Sequence, residues 1–147
     1  MTAGQRSDQD AEAIARKSAA TMWAADDASR HLGMRIDSIG PGRARLSMAI
    51  TEVMVNGHGS CHGGYIFMLA DSAFAFACNA YNQRHVAQAC QITYIRPARL
   101  GAVLTAEAEE RQRAERSGLY DVRVRDEAGE VIAEFRGHSR SIPGTHY

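Results

Sequence analysis

Net charge is the first thing this sequence lacks. Lys and Arg number 17 and Asp and Glu number 17, so the formal charge of the 147 residues is zero. That excludes the overall basic footprint of a nucleic-acid-binding chain. It also leaves little long-range repulsion between copies, which suits self-association. Cysteine is scarce and odd in number, with only Cys61, Cys78 and Cys90. Two of the three lie inside apolar segments, so they form no disulfide framework and read as reduced cytosolic thiols. A targeting segment is missing too. The N-terminal MTAGQRSDQDAEAIARK is polar, without the apolar run of a signal peptide. The longest apolar stretch, Tyr65 to Cys78, is broken by Asp71-Ser72 and is too short to span a bilayer. No repeat or low-complexity run appears. These absences predict a cytoplasmic protein with neither nucleic acid nor membrane as partner. What is present, 45% hydrophobic residues, suffices for the core of one domain over residues 1–147.

Residues 1–6 read as a frayed tail, followed by a helix over DQDAEAIARKSAATMWAAD, rich in Ala, Glu, Arg and Lys. Asp26 or Asp27 caps a short second helix that Gly33 closes. The period then changes to two. MRIDSI and RARLSMAI alternate on either side of Gly40-Pro41-Gly42, which predicts a hairpin. After the loop TEVMVNGHGSC comes the long apolar segment. Its Ala, Leu and Met content and its lack of Val predict a helix, apolar nearly all round and wrapped by other elements. HVAQACQITYIRP, VLTAEAEERQR, GLYDVRVRDEAGE and VIAEFRGHSRSI read as strands, and residues 143–147 as a second frayed tail. One buried helix against a run of antiparallel strands is an α+β arrangement in which a curved sheet wraps a long central helix, the hotdog layout.

Chemistry concentrates at that helix. His62-Gly63-Gly64 sit at its N-terminus, where backbone N–H groups lack internal partners and the helix dipole adds partial positive charge. Glycine admits close approach to the backbone, so the Gly63 and Gly64 amides are candidates for polarising a carbonyl. Asp71 is the only formally charged side chain between Glu52 and Arg84. A lone acid among apolar residues is costly unless it is paired or functional. From Gly63 to Asp71 is eight residues, about 12 Å along the axis at about 1.5 Å per residue. One ester-sized group cannot touch both. If both act on one carbonyl they come from different chains, paired antiparallel about a two-fold axis, with the active sites at the interface. Asn56 has a side chain that can orient a water or a carboxylate, although Asn56-Gly57 is also a plain turn signal. His62 either helps shape the carbonyl site or simply caps the helix.

The frame formed by Asn56, His62, Gly63, Gly64 and Asp71 within NGHGSCHGGYIFMLADSAFAFACNA resembles the signature of the hotdog acyl-CoA thioesterases, especially the phenylacetate-degradation (PaaI-type) subgroup. ITYIRPARLGAVLTAEA and EFRGHSRSI are similar to that subgroup as well. The resemblance implies hydrolysis of an aryl-acetyl-CoA, such as phenylacetyl-CoA or a ring-hydroxylated form, to free acid and CoA. It implies that the Gly63 N–H polarises the thioester carbonyl and that Asp71 of a partner subunit is nucleophile or general base. Asn56 would orient water or substrate. The CoA phosphates would lie near Arg96, Arg99, Arg136, His138 or Arg140. A homotetramer built as a dimer of dimers is implied, with no metal or other cofactor. Where some relatives carry Ser or Thr after the helix, this chain has VAQAC, and Gln88 is the candidate for that hydrogen-bonding role.

Other readings remain open at this point. Cys61 precedes a helix N-terminus, where a thiolate is stabilised, and is a second candidate nucleophile. His58, Cys61 and His62 cluster potential metal ligands, though without a second ligand pair at zinc-finger spacing. A hydratase would want a His and acid pair on the helix, which offers only Asp71. An acyl-CoA sensor of the same fold would bind without turnover.

Overall fold

The computed structural model describes residues 2–147. The element order is α1 (Ala3–Ala25), α2 (Asp27–His31), β1 (Arg35–Gly40), β2 (Arg43–Ala49), a 3-10 turn (Glu52–Met54), α3 (Gly63–Cys78), β3 (His85–Tyr94), β4 (Val103–Arg113), β5 (Ser117–Arg125) and β6 (Val131–Ser141). The α+β expectation holds. The strands form one antiparallel sheet in the order β1-β2-β4-β5-β6-β3, so β3 leaves its place in the sequence to form an edge beside β6. The β1–β2 hairpin turns at Pro41-Gly42, where φ of +67° at Gly42 suits glycine.

α3 lies across β2, β4 and β5. Alternation along those strands turns Leu46 and Met48, Leu104 and Ala106, and Tyr120, Val122 and Val124 toward it, all buried. From α3, Ile66, Leu69, Phe74 and Phe76 meet them. Removing a side chain of this size from water stabilises by about 1.5–3 kcal/mol each. The Phe74 ring packs against Tyr120 at 5.5 Å and Phe135 at 5.9 Å between centroids. It reaches β6 because Gly137 has no side chain: a Cβ there would lie 2.8 Å from the ring.

Three expectations need correction. The helix begins at Ala3, not after residue 6, because Thr2 and Gln5 form a capping box: Gln5 N–H donates to Thr2 Oγ1 at 3.3 Å and Thr2 N–H to Gln5 Oε1 at 2.8 Å. Residues 2–6 of the expected tail are therefore helix cap and first turns, and Met1 lies outside the described residues. The C-terminal residues are tied down. Asn82, held at φ of +55°, accepts from the His146 N–H at 2.9 Å, and the His146 ring meets Asn79 Oδ1 at 2.9 Å. Finally, one chain does not hide all of α3. Gly64, Phe67, Met68, Asp71 and Ala75 form a stripe at helical spacing that stays partly or fully open, next to a β3 whose residues are mostly exposed.

Candidate active site

The approach to α3 is fixed by backbone hydrogen bonds. His62 N–H donates to Met54 O at 2.7 Å and Cys61 N–H to Ala98 O at 2.7 Å. Upstream, Asn56 closes its own loop: its Oδ1 accepts from His58 N–H at 2.9 Å and Ser60 N–H at 3.3 Å. The turn reading therefore accounts for the oxygen of Asn56, while its side-chain amide N–H groups have no partner among the described residues.

His62 is the N-cap of α3, and its Nδ1 accepts from the Gly64 N–H at 2.9 Å. An accepting Nδ1 puts the proton of a neutral imidazole on Nε2. His62 O takes the Tyr65 N–H at 3.0 Å. Of the amides from His62 to Tyr65, only Gly63 N–H lacks an acceptor among the described residues. Capping thus withdraws Gly64 as a carbonyl donor and leaves Gly63. Gly63 lines an open cleft of about 420 Å³ with Cys61, Ile66, Tyr94, Ile95, Arg96 and Pro97. Tyr94 was not singled out from the sequence. Its ring lies over Gly63, so close that a Cβ on residue 63 would sit 2.8 Å from it, and its O–H donates to Gly63 O at 2.8 Å. The close approach that Gly63 permits is occupied first by this tyrosine.

Asp71 lies on the open stripe of α3, half-buried. Burial raises its pKa above the usual carboxylate value, and Cys90 opposes that by donating to Asp71 Oδ1 over 3.9 Å. Gln88 does not take this role. A register shift between Ala87 and Ala89 places Gln88 in a bulge, exposed and with no hydrogen bond to Asp71. Burial and the Asp71 charge push the Cys90 thiol up to about 11. Cys61 is also unsuited to attack as a thiolate: it is buried, and burial raises its pKa. Among the described residues no three His, Cys, Asp or Glu side chains converge, so His58, Cys61 and His62 do not form a ligand set.

The five basic candidates divide into two groups. Arg96 is at the cleft, held loosely by Glu130 at 3.5 Å and Val131 O at 3.1 Å. Arg99 bridges Ser60, in the Asn56 loop. Arg136, His138 and Arg140 alternate along β6 and are exposed. Arg136 is already engaged by Asp121 at 2.6 and 2.9 Å. Farther across the outer face of the sheet, Arg45, Glu107, Arg123 and Glu134 stand side by side on neighbouring strands. The groove there is lined by charges that satisfy one another.

A match to the Thioesterase superfamily spans residues 58–133, from the Asn56 loop through β5 into the start of β6. The chain belongs to this family. Thioester hydrolysis is the activity that membership carries. The chain is 42% identical over 129 residues to the acyl-coenzyme A thioesterase PaaI of Escherichia coli K12, covering 88% of this chain and 92% of PaaI. The structure of the E. coli PaaI protein from the phenylacetic acid degradation operon superposes with a TM-score of 0.90 at 41% identity, covering 91% of this chain and 97% of that one. A variant of the phenylacetic acid degradation protein PaaI from Thermus thermophilus matches with a TM-score of 0.75 at 34% identity, covering 78% and 97%. Among the described residues no helix is long and apolar enough to cross a membrane.

Proposed function

We propose that this thioesterase hydrolyses an aryl-acetyl-CoA, phenylacetyl-CoA or a ring-hydroxylated form, to the free acid and CoA. The observation that carries the reading is the Gly63 N–H, the one amide of the His62–Tyr65 run left without an acceptor among the described residues, at an open cleft of about 420 Å³. There it donates to the thioester carbonyl oxygen, where negative charge develops on attack. The acyl class is supported by the two PaaI proteins, both named for phenylacetic acid degradation.

Asp71 is about 12 Å along α3 from the Gly63 of its own chain. It therefore serves a partner's Gly63 across a two-fold axis. The open stripe on α3 and the unpaired edge of β3 fit such a pairing, since both leave apolar groups in water, Val86 and Tyr94 being 46% and 48% exposed. As general base, Asp71 takes a proton from water while the oxygen attacks the carbonyl carbon and the C–S bond breaks. As nucleophile, its oxygen attacks the carbonyl carbon directly, the C–S bond breaks to release CoA, and water cleaves the resulting mixed anhydride to the free acid and the carboxylate. Either path needs an ionised carboxylate at the carbonyl. Asn56 orients the water or the substrate with its free amide N–H groups, and His62 shapes the site by holding Gly64. Arg96, which lines the cleft, and Arg99, which bridges Ser60 next to the cleft's Cys61, are the partners for CoA phosphates; Arg136, His138 and Arg140 lie on β6. The reaction requires nothing beyond chain, thioester and water.

Thiol release measured on phenylacetyl-CoA, ring-hydroxylated phenylacetyl-CoA and short aliphatic acyl-CoAs tests the reading. The aryl-acetyl substrates are expected to give the highest kcat/KM. Asp71→Asn is expected to lose about 100- to 10,000-fold in kcat. A wild type inactive on every member of the panel sinks the function, and full activity in Asp71→Asn sinks the mechanism.

A further inference from the structure

We propose that Tyr94 is the positioning residue for the oxyanion site: its hydroxyl clamps the Gly63 carbonyl so that the Gly63 N–H is held toward the cleft. This rests on the reading of Gly63 as carbonyl donor. Two consecutive glycines make the most permissive helix entry a chain can have. An amide that must meet a developing oxyanion gains from being fixed beforehand. The Gly63 N–H belongs to the His62–Gly63 peptide, whose carbonyl accepts the Tyr65 N–H at 3.0 Å, so its direction is fixed once Gly63 cannot turn against the peptide that follows. That following Gly63–Gly64 peptide is gripped at both ends. Tyr94 O–H donates to its carbonyl at 2.8 Å, and His62 Nδ1 accepts from its N–H at 2.9 Å. The ring completes the clamp from the side, with its ζ carbon 2.8 Å and its oxygen 2.9 Å from where a Cβ of residue 63 would stand. Tyr94 is anchored in turn, because it ends β3 and Ile95 N–H donates to Ile132 O at 2.8 Å. Burial raises the phenol's pKa, so it stays a donor throughout the neutral range.

Tyr94→Phe keeps the ring and deletes the donor. It is expected to lower kcat about fivefold to tenfold, the scale of one net hydrogen bond. KM for phenylacetyl-CoA should stay within about twofold and the melting temperature within about 4 °C. Amide hydrogen exchange at Gly64, whose N–H is bonded to His62 Nδ1, should quicken, a readout that needs no turnover. Wild type and Asp71→Asn run alongside. If Asp71→Asn is dead while Tyr94→Phe turns over like wild type, the positioning role is overturned and the function stands. If wild type itself is inactive, the function falls and this role with it. A raised KM at unchanged kcat would make Tyr94 a wall of the binding cleft and would likewise overturn the proposal.

Discussion

Among the described residues, the carboxylate of Asp71 has one side-chain donor, the thiol of Cys90, at 3.9 Å. An S–H is a weak donor, so burial prevails and the Asp71 pKa stays above 3.8. Cys90→Ser offers a hydroxyl, which bonds a carboxylate roughly twice as strongly as a neutral acceptor. The acid limb of the kcat/KM profile should then move to lower pH, and in Cys90→Val, which has no donor, to higher pH. Limbs that do not move would remove Cys90 from the site. A linked effect appears in stability. Because the folded pKa is raised, the native chain holds its proton where the unfolded chain has released it. Stability therefore declines as pH rises from the ordinary value through the raised one. Asp71→Asn is expected to melt higher than wild type at pH 7, with the difference shrinking as pH falls toward 3.8. Calorimetry across that range checks the sign. Gly63 and Asp71 stand out in the sequence because a glycine pair and a lone charge are local oddities. Cys90 and Tyr94 do not, since a cysteine and a tyrosine in an apolar strand look like core, and only the bulge at Gln88 and the fold bring them to α3.

Among the elements, α3 and the strands were legible because their periods differ and Gly, Pro and Asp residues separate them. The capping box at Thr2 and Gln5 was equally present in the residues, but the polar composition beyond it favoured a loose tail. Hidden from any periodicity is the placement of β3, fourth from last in the chain's elements yet an edge strand against β6. The fit of α3 to the sheet depends on one glycine of β6. In Gly137→Ala the new methyl group meets Phe74 ring atoms at 2.8 Å, and that ring is wedged between Tyr120 and Phe135. Overpacking of this kind costs about 1–3 kcal/mol. Urea unfolding of Gly137→Ala should show that loss as a lower midpoint at an unchanged slope. A neutral result would mean that α3 can slide on the sheet, and the spacing of Gly63 and Asp71 over it would not be rigid.

At the scale of the whole molecule, the separation of Gly63 and Asp71 gives an experiment that single variants cannot. On the proposed pairing, each site draws Gly63 from one subunit and Asp71 from the other, so two variants inactive alone are expected to restore one another when mixed. Asp71→Asn is one. The other replaces Gly63 by proline, which deletes the N–H, and Tyr94 by alanine, which clears space for the ring. Proline is at home in the first turn of a helix, and His62, at ψ of 133°, already has the backbone that a following proline requires. In a mixed dimer, one site has an intact Gly63 facing an intact Asp71, while the other lacks both. With random exchange about half the dimers are mixed and half their sites are whole, so about a quarter of wild-type activity should return. Exchange is driven by dilution and reconcentration and followed by thiol release on phenylacetyl-CoA. Sedimentation of the same mixtures reports whether a dimer or a tetramer carries the activity. If mixing restores nothing while native mass spectrometry finds hybrid dimers, each site lies within a single chain, and the two ends of α3 then serve separate groups.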